Sequence, residues 1–330
     1  AQSPANLRGS SLPEPFQVGK VPFHVSGNHN RSAERHKWNI RFPGNWSTAN
    51  LHDYAGRMEH AGFRCIHKGH PSERGIVLVT VEGTLSEMED FVESHEGPVY
   101  VEEDAEVQLI PTISSGLSSV GLVPWGLDRI DSQNSLDGEY SPSGDGSGVH
   151  VYVVDTGVRI DHVDFGGRAH ATLESLRFGV VECAASSDPN CALDEEGHGT
   201  HCAGTVGGTT YGVAKNATIH SVKVFEGATT LKSYVLAALD WIAANAIKPA
   251  VVSMSLGGEG RSRFYLDAIN VLTQAGVTVV VASGNDDADA SMYIAQHLLI
   301  LPSQLVPQTV RMHEHLLVIM VMQLTLWRQA

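Results

Sequence analysis

Long apolar runs, basic charge and cysteine are all scarce in this sequence. No segment stays apolar for the roughly 18 residues that a membrane-crossing helix needs. The longest candidate, "LLVIMVMQLTL" from Leu316, is too short and carries Gln323 and Thr325, so no membrane partner is expected. Lys and Arg number 22 against 37 Asp and Glu, a net charge of −15, which argues against a nucleic-acid surface and for an acidic soluble chain. Four cysteines are few for a disulfide scaffold. Cys183 and Cys191 flank the polar loop "CAASSDPNC" and can pair, whereas Cys65 and Cys202 lie far apart in sequence and are expected to stay free. The chain opens at Ala1 with neither Met nor an apolar signal-peptide core, so any secretion signal is expected to have been removed. The tripeptides starting at Asn30, Asn45 and Asn216 fit the glycosylation acceptor pattern and point weakly to an extracellular location.

With 42% hydrophobic residues, the 330 residues suffice for one large α/β domain and a small one. Residues 1–20, rich in Ser, Pro and Gly, read as a flexible leader. Residues 21–110 then carry a compact pattern. "HKWNIRF" reads as a strand, "NLHDYAGRMEHAGF" as a helix with Leu51, Tyr54, Met58 and Phe63 on one face, and "IVLVTVEG" as a buried strand. "LSEMEDFVESHEG" reads as a second helix and "PVYVEEDAEVQLI" as a closing strand, which makes a small βαββαβ-like α+β unit. The turn-rich residues 111–121 are a linker. From residue 122 the texture changes to β-branched runs stopped by Gly, Asp or Ser: "GVHVYVVDTG", "ATIHSVKVF", "AVVSMSLGG" and "GVTVVVASGN". The helix "TLKSYVLAALDWIAANAI" falls between the second and third of these. Strands buried on both faces and alternating with helices predict a doubly wound parallel α/β sheet, whose chemistry collects at the carboxyl ends of its strands.

Three residues stand where such chemistry is expected. Asp155 directly follows "VHVYVV"; alone, a "DTG" is more often a turn or helix cap. His198 lies in "DEEGHGTHCAGTVGG" between two glycines, where local packing gives it little reason to be. Asn285 ends "VVVASGN", and a side-chain amide at a strand end can donate to a developing oxyanion as well as fill a turn. "HGTH" also invites a metal reading through His198 and His201, but the spacing is not that of a zinc helix, Gly interrupts it, and no third ligand is evident. Cys202 is expected to be an inert core thiol.

"VYVVDTGV", "GHGTHCAGTVGG", "VVSMSLGG" and "VVVASGND", in this order, resemble the subtilisin-like serine proteases, closest to the proteinase K branch, over residues 122–290. The preceding unit resembles that family's inhibitory propeptide, and the linker is where self-processing is expected. The resemblance implies polypeptide substrates, with the chain's own propeptide as an intramolecular partner. Asp155 would orient and support His198, the general base, and Asn285 would stabilise the oxyanion. Ser255, Leu256, Gly257 and Gly258 would form an edge to which an extended peptide adds as a strand. Ala282, Ser283 and Gly284 would line a wall of the first specificity pocket. No cofactor is required; calcium often stabilises the family, but no ligand set is complete enough to name.

The family's nucleophile belongs to a motif near "GTSMAAPHVAG", which does not occur here. "SMYIAQH" from Ser291 lacks the preceding Gly-Thr and the Pro, and begins too soon after Asn285, so Ser291 is rejected as the nucleophile. Residues 291–330 contain no glycine at all. Codons for this tail, read one base earlier, are compatible with a string containing "TVGATD", "SNYG" and "APG", which resembles the family's normal continuation in order and spacing. A single-nucleotide frameshift at or just before Ser291 is therefore expected, leaving a non-native tail and an inactive polypeptide. The rival expectation is a binding protein: a propeptide-like inhibitor acting through residues 21–110, or a pseudoprotease.

Overall fold

The computed structural model describes residues 15–25, 34–110, 123–131, 136–258 and 262–282. In the first unit, β1 (Phe16–Val18) and β2 (Val21–His24) form a hairpin, so the end of the segment read as a leader is a strand. There follow β3 (His36–Arg41), α1 (Thr48–His60), β4 (Arg64–Lys68), β5 (Leu78–Gly83), α2 (Leu85–Ser94) and β6 (Tyr100–Glu103). The strands form one sheet in the order β1-β2-β6-β3-β5-β4. Both helices open with a capping box, Ser47 with Asn50 and Thr84 with Glu87, which satisfies backbone N–H groups that the first turn cannot. Leu51, Tyr54 and Met58 of α1 and Met88, Phe91 and Val92 of α2 close over Trp38, Ile40, Val79, Val81 and Val101 of the sheet. Phe63 joins this core from beyond the helix, because α1 stops before Gly62, whose φ of +96° ends the turn.

The segment read as one closing strand breaks in two. After β6 the Asp104 carboxylate accepts the Ser233 N–H and hydroxyl, and the Ala105 carbonyl accepts the Lys232 N–H. The chain thus leaves the first sheet and continues as β7 (Glu106–Leu109) within the second unit.

That second unit comprises α3 (Trp125–Asp131), β8 (His150–Asp155), β9 (Ala169–Leu176), β10 (Gly179–Glu182), α4 (His198–Gly207), β11 (Thr218–Lys223) and β12 (Thr229–Leu231). It continues through α5 (Lys232–Asn245), β13 (Ala250–Met254), β14 (Leu256–Gly257), α6 (Arg263–Gln274) and β15 (Val277–Val281). The main sheet runs β10-β9-β11-β8-β13-β15, parallel throughout except for β10. The period of two along β8 divides its side chains between two cores. Val151 and Val153 pack with Ala203 and Val206 of α4, while Tyr152 and Val154 pack with Leu236, Leu239 and Ile242 of α5. Helices on both faces make the expected doubly wound sheet, and Asp155 stands at the carboxyl end of its central strand. Cys183 and Cys191 form a disulfide, and Cys65 and Cys202 are free thiols.

The two units share apolar packing. Ile76, Leu78 and Tyr100 of the first belong to the same cluster as Leu239 of α5 and Phe264, Ala268 and Leu272 of α6. Arg41 and the Tyr100 hydroxyl both reach Asp267 at 2.8 Å, and the buried Lys232 pairs with Glu102 at 2.5 Å.

Candidate active site

Asp155 is 1% exposed, and its Oδ1 accepts from the Thr156 N–H at 2.7 Å and from His198 Nδ1 at 2.8 Å. Its Oδ2 is buried with no hydrogen-bond partner among the described residues. His198 opens α4, and the glycines beside it have separate physical reasons. Gly197 takes the left-handed conformation, φ +95°, that precedes the helix. At Gly199 a Cβ would lie 2.1 Å from the Gly157 carbonyl oxygen and 3.1 Å from Asp155 Cβ, so the first turn of α4 rests directly on the "DTG" turn. Thr156 ties the two together: its hydroxyl accepts the Gly199 N–H and donates to Asp194.

Asp194 is the hub that sequence reasoning missed. Fully buried, it also accepts the N–H groups of Glu196, Gly197 and Thr200 and the Thr200 hydroxyl. Burial opposes its ionisation, but these donors outweigh that cost and hold its pKa below the ordinary carboxylate value. The legible signal was an Asp placed shortly before a glycine and a helix start, which favours a side-chain turn.

On its other side His198 meets the chain itself. β7 lies antiparallel between β12 and β14, with Leu109 opposite Leu256, Gln108 opposite Gly257, and the Ile110 N–H donating to the Ser255 carbonyl. The Ile110 carbonyl oxygen then lies 2.8 Å from His198 Nε2. Asp155 and this carbonyl both offer acceptors, and a neutral imidazole has one N–H, so both contacts are hydrogen bonds only in the imidazolium form. Burial works against that charge, but the hydrogen bond that Asp155 accepts outweighs it and raises the His198 pKa. Cys202 Sγ lies 3.9 Å from His198 Nδ1; burial raises its pKa and keeps it a thiol. His201 is exposed.

Of the other residues singled out in the sequence, Ser255, Leu256 and Gly257 are buried, and Gly258 is partly exposed. Ala282 sits at the end of β15, its N–H donating to the Met254 carbonyl. Ser283, Gly284, Asn285 and Ser291 lie outside the described residues. The structure therefore brings together Asp155, His198 and the Ser255–Gly257 edge. Two groups of side chains among the described residues have the donors and spacing to hold a metal ion, His67/His70/Asp240 and Asp155/His198/Cys202, and each includes nitrogen or sulfur donors.

Residues 146–306 match the subtilase family, Peptidase S8. The chain carries a subtilase-family domain. The match runs past Ala290 into the first part of the tail. The chain is 44% identical to an extracellular serine proteinase of Thermus sp. (strain Rt41A) over 196 residues, 59% of this chain and 43% of that one. It is 41% identical to the subtilisin-like proteinase Spm1 of Pyricularia oryzae over 262 residues, 73% of this chain and 42% of that one. The chain thus spans less than half the length of these curated relatives. Fervidolysin from Fervidobacterium pennivorans, a keratinolytic enzyme related to subtilisin, shares the fold with a TM-score of 0.59 at 23% identity, covering 85% of this chain and 44% of that one.

Proposed function

We propose that this chain is the front part of a secreted serine endopeptidase precursor, with its own first unit seated in the substrate cleft. The single observation that carries the reading is β7: an extended segment pairs along Ser255–Gly257 and ends with a carbonyl at His198 Nε2, where a peptide substrate's main chain would lie. In the proposed reaction His198 takes the proton of a serine nucleophile and returns it to the leaving amine. Asp155 holds the imidazole with Nδ1 protonated and supports its charge, and Asn285 donates to the oxyanion. No cofactor enters this chemistry. Ser283, Gly284 and Ala282 would line the first specificity pocket. Residues 111–121 carry the processing site, residues 122–290 are the front of the catalytic domain, and the extracellular Thermus relative supports secretion.

We further propose that the nucleophile is missing from these 330 residues because the reading frame shifts by one nucleotide near Ser291, making residues 291–330 a non-native tail. The glycine-free composition after Ala290 supports this. Purified chain should then resist a serine-directed fluorophosphonate; stoichiometric labelling would refute the inactivity. Resequencing genomic DNA and transcript across the codons for Asp289–Tyr293 tests the frame itself.

The same observation favours a second reading for this polypeptide. Residues 21–110 present a strand end shaped for the cleft of a complete relative, and so would act as an inhibitor of it.

A further inference from the structure

At the seam between the two units, His67 and His70 of the first face Asp240 of α5, and one donor atom from each lies within 4.8 Å of the others. His70 Nδ1 is 2.7 Å and His67 Nε2 is 3.2 Å from the same carboxylate oxygen, Asp240 Oδ2. The other oxygen, Oδ1, accepts the Ile76 N–H at 2.6 Å and the His70 N–H at 3.2 Å. This division leaves Oδ2 turned toward the imidazoles as a single-oxygen ligand whose partner oxygen is fixed by backbone donors, the support a metal-bound carboxylate ordinarily has. The chain is folded tightly to achieve it. A Cβ at Gly75 would come within 2.2 Å of Asp240 Oδ1, and one at Gly69 within 1.9 Å of the Ile76 carbonyl oxygen.

Two imidazole N–H groups donating to one carboxylate would be the ordinary account. His67 crowds that account: its Nε2 is sealed from solvent and lies 3.2 Å from the same Oδ2 that His70 already approaches at 2.7 Å. The two rings stand 63° apart with centroids separated by 6.0 Å, so they converge on the carboxylate instead of stacking. We propose that His67, His70 and Asp240 form a binding site for a divalent zinc-class cation that bridges the two units. Two imidazoles and one carboxylate are a donor set suited to zinc, with a fourth position left for water. That position opens on the side of His70, whose side chain is 43% exposed, while Asp240 is fully buried. The sequence signal is the spacing in "HKGH", with the third ligand supplied by a helix of the other unit. Because the ligands come from both units, the site is complete only when they are docked. It does not depend on the serine chemistry.

The test uses the full chain and Zn2+ alone, followed by calorimetry and thermal unfolding after chelator treatment. One Zn2+ is expected to bind per chain and raise the unfolding midpoint. His70→Gln and Asp240→Asn should each weaken binding by at least about tenfold and abolish the rise, while His60→Gln, at an exposed position elsewhere, should leave both intact. If Asp240→Asn fails to fold, His70→Gln decides. Binding that survives His70→Gln, or a chain with no Zn2+-dependent midpoint, overturns the proposal.

Discussion

As imidazolium, His198 donates through both ring nitrogens, to Asp155 Oδ1 and to the Ile110 carbonyl, so the docked geometry favours the charged form. Its pKa is raised in the folded chain. The stabilisation this brings is fully present below the ordinary imidazole pKa and is lost as pH rises through the higher folded value. The thermal midpoint of the chain should therefore fall with pH across that interval, and His198→Ala should flatten the fall; scans of both proteins over pH measure it. An equal slope in the variant would assign the linkage to another group. How legible this site was depended on the residue. A left-handed turn at Gly197 and a close backbone approach at Gly199 are both written directly as missing Cβ atoms, so "GHG" could be noticed without coordinates. Asp194 was invisible as a hub because its weight depends on which backbone N–H groups the loop turns inward.

Elements with one regular period were readable, and those whose course is set by a distant partner were not. α1, α2, β3, β5, β8, β11, β13 and α5 follow the periods their faces require, and each was expected near its observed span. β4 was missed because its residues are all partly exposed or nearly so and show no alternation. β6 and β7 merged into one expected strand because no Gly or Pro marks a break in "YVEEDAEVQL". The break at Asp104 is made by the free N–H groups opening α5, 129 residues further along, which lack a cap from their own segment. Asp104→Ala should cost about 1 kcal/mol, the usual loss for a helix cap, and should speed proteolytic cutting in residues 104–110. Unchanged cutting would show that β7 is held without this contact.

At the scale of the whole molecule, the sheet class was legible, but the mutual placement of the two units was not. It rests on pairs such as Arg41 with Asp267 and Lys37 with Tyr234, which no local pattern announces. If the first unit is an inhibitor in its own right, purified residues 21–110 should inhibit a complete subtilase at micromolar concentration, measured as loss of peptide hydrolysis; no inhibition there would remove that reading. The seating of β7 has one more consequence. A strand joined by its own chain to the groove it fills acts at an effective concentration on the order of millimolar. A free peptide of micromolar affinity, supplied at its own dissociation constant, would occupy that groove only rarely. Cutting the connection after Ile110 would turn the occupant into a diluted competitor, so one covalent event, and not a gradual change in affinity, decides whether the groove is open to other chains.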